Sequence, residues 1–119
     1  MHPFVLYCKS YNVDVKRVVR LADTIARFNV NSIPFFVSAP AADLPLFKQL
    51  LGAHDVQLLA DEEILAANPA LQLQAIQQLP GNISQQIVKS EFWRLGLSQA
   101  YLCLDSDCMF IRAFDTETF

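Results

Sequence analysis

Four short apolar runs are spaced along this chain, and the gaps between them carry helical patterns rather than hairpin turns. The runs lie in "PFVLYC", "SIPFFVSAP", "DVQLLAD" and "AYLCLD". Strands joined through helices are free to run parallel, because a crossover of a dozen or more residues is what a parallel pair requires. Alternation of this kind predicts an α/β fold, a Rossmann-like open parallel sheet with helices on both faces. In the last run, Tyr101, Leu102, Cys103 and Leu104 are apolar at consecutive positions. Lost alternation is the mark of a strand buried on both sides.

Strand one is expected over residues 3–9, and Asn12 or Asp14 is placed to cap the helix that follows. Val15, Val18, Val19, Ala22, Ile25 and Ala26 recur at steps of three and four, which gives that helix one apolar face through Phe28. Strand two is expected over 33–38. Asp43 then caps a short helix with Pro45 in its first turn and Gly52 at its end. Strand three is expected over 56–60. The stretch from Glu62 to Asn82, interrupted by Pro69, Pro80 and Gly81, reads as a short helix and an irregular connection. Ser84 is a natural cap for a helix with Ile87, Val88, Phe92 and Leu95 facing inward, and strand four follows over 100–105.

A chain of 119 residues is the size of a single domain, and we read residues 1–119 as one. Its hydrophobic fraction of 53% and charged fraction of 18% argue against disorder. A net charge of −3 without a Lys/Arg block makes a nucleic-acid partner a poor fit. No apolar stretch reaches the ~18–20 residues of a membrane span. The opening "MHPFVLYCKS" lacks the basic region of a secretory signal, so a cytoplasmic location is expected. The three cysteines are an odd number, read as reduced thiols packed like small hydrophobes.

The chemistry concentrates in Asp105-Ser106-Asp107, directly after strand four. Ligands of open parallel sheets bind outside the carboxyl ends of the strands. Residues i and i+2 of a strand share a side, so both carboxylates are expected to aim at one point. Two bare carboxylates side by side repel, and a divalent cation relieves that conflict. Hard oxygen ligands suit Mn²⁺ or Mg²⁺, which commonly take one or two carboxylates plus phosphate oxygens. An isolated Asp-x-Asp is more often a surface turn than a site; the apolar run before it and "CMFI" after it favour the site.

Other residues have plainer readings. Cys103, Cys108 and His54 do not complete a zinc set with the two aspartates, since the cysteine spacing is wrong for it. Cys8 has no neighbouring base to activate it and reads as a buried thiol. Trp93 reads as packing its helix on the sheet, Glu62 and Glu63 as an exposed helix start. Lys89 reads as a solvated lysine or as a ligand contact.

The segments "YLCLDSDCMFIRAF" and "QQIVKSEFWRLG" resemble the DxD region of GT-A glycosyltransferases, and in particular bacterial proteins of that fold grouped as DUF6492-like. "FVLYCKSYNVDVKRVVRLADTI" resembles their first strand, nucleotide-contacting loop and first helix. The resemblance implies a strand order of 3-2-1-4 and transfer of a sugar from a nucleotide-diphospho-sugar, a UDP-sugar above all. It implies that Asp105 and Asp107 hold Mn²⁺ or Mg²⁺, with Asp105 also near the donor. Ser10 and Tyr11 would meet the base and ribose, and Lys89 would approach the donor. Gln85 and Gln86 join Lys89 through their helical spacing. Domains of that family are usually much longer, so the chain is expected to be a truncated GT-A fold, the donor-binding half. Its fourth strand would then be a sheet edge on which a second copy could pair.

Two other readings stay open. One is a non-catalytic nucleotide-sugar-binding module or inactive remnant. The other is a Mg²⁺-dependent phosphatase of haloacid-dehalogenase type, which also uses Asp-x-Asp after an apolar strand. In that class the motif typically opens the domain, and a Thr or Val stands where this chain has Met109.

Overall fold

The computed structural model describes residues 1–119. Four parallel strands, β1 (His2–Lys9), β2 (Phe35–Ala39), β3 (Gln57–Ala60) and β4 (Ser98–Leu104), lie in the order β3-β2-β1-β4. The α/β reading and the strand order both hold. Leu6 of β1 pairs with Phe35 on one side and Leu102 on the other, so β1 is interior and β4 is an edge.

Successive side chains of β1 point to opposite faces, and each face has its own core. Leu6 and Cys8 pack with Val18, Leu21 and Ile25 of α1 (Val15–Phe28) and with Phe47 and Leu51 of α2 (Leu44–Leu51). Val5 and Tyr7 face the other way. There they meet Ile64 and Leu65 of α3 (Asp61–Ala66), Ile76 of α4 (Leu73–Gln77) and Val88 of α5 (Gly81–Glu91). Phe92, in a 3-10 turn after α5, stacks on Tyr7 with ring centroids 3.8 Å apart. Gly96 closes that turn with φ of 66°, a left-handed conformation that glycine adopts without strain.

Several local expectations are corrected. A 3-10 turn over Asn12–Asp14 precedes α1, and Asp14 spends its carboxylate on Arg17 instead of a cap. Asp43 sits at the start of α2, yet its carboxylate accepts from the backbone and side-chain amides of Asn12. α5 begins at Gly81, directly after Pro80, so Ser84 lies inside it and donates back to the Gly81 carbonyl. Trp93 is 56% exposed with the Arg94 guanidinium over its ring; the anchoring belongs to its neighbour Phe92. Cys103 is exposed on the edge strand, so only Cys8 is fully buried among the thiols.

The segment after β4 returns across the α1 side. The Phe114 N–H donates to the Phe28 carbonyl, its own carbonyl accepts from Val30, and its ring stacks on Phe110. No helix is long and apolar enough to cross a membrane.

Candidate functional site

The strand order reverses between β1 and β4, the position in an open α/β sheet where a crevice forms at the carboxyl ends. β1 ends on Lys9 and continues into Ser10 and Tyr11, and β4 continues into Asp105, Ser106 and Asp107. The two aspartates are set by a turn rather than by strand alternation. β4 ends at Leu104, and the Cys108 N–H donates to the Asp105 carbonyl at 3.1 Å. Ser106, at the middle of the turn, points inward and is only 8% exposed. Its hydroxyl donates to the Ser10 hydroxyl at 3.0 Å and lies 3.8 Å from the Cys8 sulfur. Arg20 of α1 adds a bond from Nη2 to the Asp107 carbonyl at 3.1 Å. With Ser106 fastened down, the side chains on either side of it stay outside.

Asp105 and Asp107 line one polar cavity of about 250 Å³ together with Tyr11, Arg17, Gln85 and Lys89. The Lys89 ammonium is 3.2 Å from Asp105 Oδ1, and Arg17 Nη1 is 3.1 Å from Asp14 Oδ1. Both pairs reach solvent, where such links contribute little and exchange readily. The cavity thus offers two hard carboxylates flanked by two cations that are only loosely engaged. Cys8 does not join as a thiolate, because burial pushes its thiol up to about 12. No third His, Cys, Asp or Glu completes a cluster around the two aspartates. The donor set fits Mn²⁺ or Mg²⁺ with the remaining positions left to water and ligand oxygens.

Of the residues picked from sequence, Tyr11, Gln85, Lys89, Asp105 and Asp107 come together at this cavity. Ser10 is 1% exposed and lines no part of it, its hydroxyl being occupied by Ser106. Gln86 is exposed one position round α5 and also stays off the lining. Sequence reasoning passed over Arg17, Ser106, Lys9 and Asp61. Arg17 had a signal, since it stands in the first turn of a helix that begins at the carboxyl end of β1.

A second, larger cavity of about 500 Å³ adjoins the first, sharing Lys9, Tyr11 and Gln85. Lys9 and Asp61 form an ion pair beside it, with Nζ and Oδ2 3.0 Å apart and side chains 4% and 10% exposed. Lys9 also donates to the Ser10 carbonyl at 2.5 Å. Asp61 Oδ1 is buried without a hydrogen-bond partner. Burial raises the Asp61 carboxyl above its ordinary range, and the Lys9 ammonium opposes that shift.

Sheet order, crevice and paired carboxylates define a Rossmann-like α/β protein with a polar cleft at its strand switch. Over residues 3–119 the chain matches the family described as "Family of unknown function (DUF6492)", and it belongs to that family. No curated protein matches it.

Proposed function

We propose that this chain is the donor-binding part of a metal-dependent GT-A-type glycosyltransferase, which in the intact enzyme transfers a sugar from a nucleotide-diphospho-sugar, a UDP-sugar first among them. One observation carries the reading: Asp105 and Asp107 flank a buried Ser106 and line a single cavity with Lys89 and Arg17 at the strand switch. A bound Mn²⁺ or Mg²⁺ would supply Lewis-acid stabilisation of the departing diphosphate. Asp105 and Asp107 hold that charge in place. Lys89 and Arg17 turn from their carboxylate partners toward the diphosphate, adding fixed positive charge where negative charge develops. Tyr11 and Gln85 bound the side of the cleft that receives the nucleoside. Ser10 acts through Ser106, by keeping the turn in shape, and Gln86 takes no direct part.

The test is a calorimetric titration with UDP, with and without Mn²⁺. Metal-dependent binding is expected, and Asp107→Ala should remove it while leaving the circular dichroism and melting curve nearly unchanged. Unaltered binding in that variant would end the assignment. Binding without sugar transfer by any longer natural form would favour a binding module. Hydrolysis of an aryl phosphate would favour the phosphatase.

The edge of β4 is seven residues long and unpaired on its outer side. A second copy is the partner we assign to it, since an open edge pairs with other strands. Light scattering at high concentration should give at least a dimer; a monomer throughout would contradict this.

A further inference from the structure

The outer side of α1 carries cations on a chain whose net charge is −3. Lys16, Arg20, Thr24 and Arg27 recur at steps of three and four, so they share one side of the helix. The segment after β4 runs along that side. Arg20 Nη2 donates to the Asp107 carbonyl, the Phe110 N–H donates to Thr24 Oγ1 at 3.0 Å, and the Phe114 N–H reaches the Phe28 carbonyl. Phe110 and Phe114 hold the segment down, their rings stacked with centroids 3.9 Å apart against the α1 core. The residues between and before them face outward. Met109 is 49% exposed, Ile111 is 82% exposed, and Arg112 is exposed beside them.

The charge on this ledge is unspent. Lys9, Arg17, Lys89 and Arg94 each have a carboxylate partner. Lys16, Arg20, Arg27 and Arg112 have none, and the one other cation without a partner, Lys48, is on α2. The nearby acids do not cancel them. Asp14 is held by Arg17, Asp23 by His54, and Asp107 lines the cleft. Asp115 and Glu117 follow Phe114, where the segment has passed the end of α1 and joined Asn31. Free cations with projecting aliphatic groups among them make up a surface suited to a lipid interface. A protein partner would need a matching row of acids and a pocket for each aliphatic side chain. An anionic bilayer supplies both over any area.

We propose that this side of the molecule docks on an anionic phospholipid bilayer. Lys16, Arg20, Arg27 and Arg112 meet the headgroup phosphates and carboxylates, and Met109 and Ile111 enter the boundary of the acyl region. Met109 is two residues from Asp107, so a docked molecule holds its cleft at the lipid surface. Under the transferase reading, on which this consequence alone rests, the sugar acceptor is then a lipid-borne group. The docking itself does not depend on that reading.

The experiment sediments the full chain with two kinds of vesicle, phosphatidylcholine alone and phosphatidylcholine with about one third phosphatidylserine. Binding is expected to the mixed vesicles only, and added salt should weaken it by screening. Lys16→Gln/Arg112→Gln removes two charges and should lower the partition constant by about tenfold or more, since each charge near an anionic surface is worth about fivefold. Ile111→Ser should lower it several-fold through the lost apolar contact. All three positions are exposed, so the melting temperature should hold in both variants. Arg94→Gln, beside Phe92 in the core on the opposite face of the sheet, should bind like the wild type. Ile111→Ser should also keep Mn²⁺-dependent UDP binding, which separates docking from the cleft. Absence of binding to the mixed vesicles overturns the proposal, as does equal binding to both kinds. Binding unaffected by Ile111→Ser overturns it too, because adhesion by charge alone would fit an acidic protein as well. Docking retained while the Mn²⁺–UDP titration stays silent would sink the transferase reading alone.

Discussion

β1 and β4 look alike on paper. Each is an apolar strand with an internal cysteine and a charged residue at or just beyond its carboxyl end, and in register Leu6 faces Leu102. Their surroundings differ sharply. Val5, Leu6, Tyr7 and Cys8 are all 0% exposed, whereas Gln99, Ala100 and Cys103 of β4 are exposed and Leu102 is half-buried. The charged residues diverge in the same way: Lys9 is locked against Asp61 beneath a cavity, while Asp105 reaches solvent and holds Lys89 loosely. Composition made both strands; position in the sheet assigned one to stability and the other to the rim of the site.

The largest expected separation is between the two lysines. Lys9→Met leaves Asp61 buried and unpaired and should cost about 3–5 kcal/mol in urea unfolding. Lys89→Met breaks a solvent-reaching pair and should change stability by less than about 1 kcal/mol. The pH dependence should follow the same contrast. Asp61 has its folded-state value raised above the unfolded one, so the fold binds its proton more tightly than the unfolded chain does. Its contribution is most favourable at pH below the ordinary carboxylate range and is lost as pH rises through the raised value. Lys9→Met should move that loss to higher pH, since it removes the main opposing charge; an unshifted pH profile would show that the pair is not coupled.

Next come the facing leucines. Leu6→Ala empties a closed core and should cost about 2–5 kcal/mol. Leu102→Ala, on the half-open strand, should cost less than half as much. Equal penalties would mean that the β4 edge is covered in solution, as pairing with a second copy would produce.

The smallest effect is kinetic. In the native state a thiol reagent should modify Cys103 first and leave Cys8 untouched until the protein unfolds, because Cys8 is enclosed and its thiolate is scarce with the thiol pushed up to about 12. Early labelling of Cys8 would indicate opening of the Ser10–Ser106 latch.

Much of the architecture was legible in the chain because periodicity is a local property. The steps of three and four from Val15 to Ala26 marked α1, and the expected strands lie within two residues of the observed ones. The helix start at Pro80–Gly81 was missed because Ser84 carries a capping residue's chemistry without its position. Trp93 was misplaced since its size suggested burial, whereas the geometry of the 3-10 turn gives the inward place to Phe92. Asp61 passed unnoticed beside Glu62 and Glu63, because three acids in a row resemble a solvated helix start and nothing local shows that the first of them is buried against Lys9.

By itself the sequence determined the layers, the crossovers and the place of the two aspartates at a strand end, all of which follow from patterns a few residues long. Tertiary structure alone decided that Ser106 meets Ser10, that Lys9 meets Asp61, and that two cavities share a wall. These contacts join residues far apart in the chain, so they exist only once the sheet has closed over its helices. Whether a charge is buried or wet is a property of that closure and not of the residue that carries it.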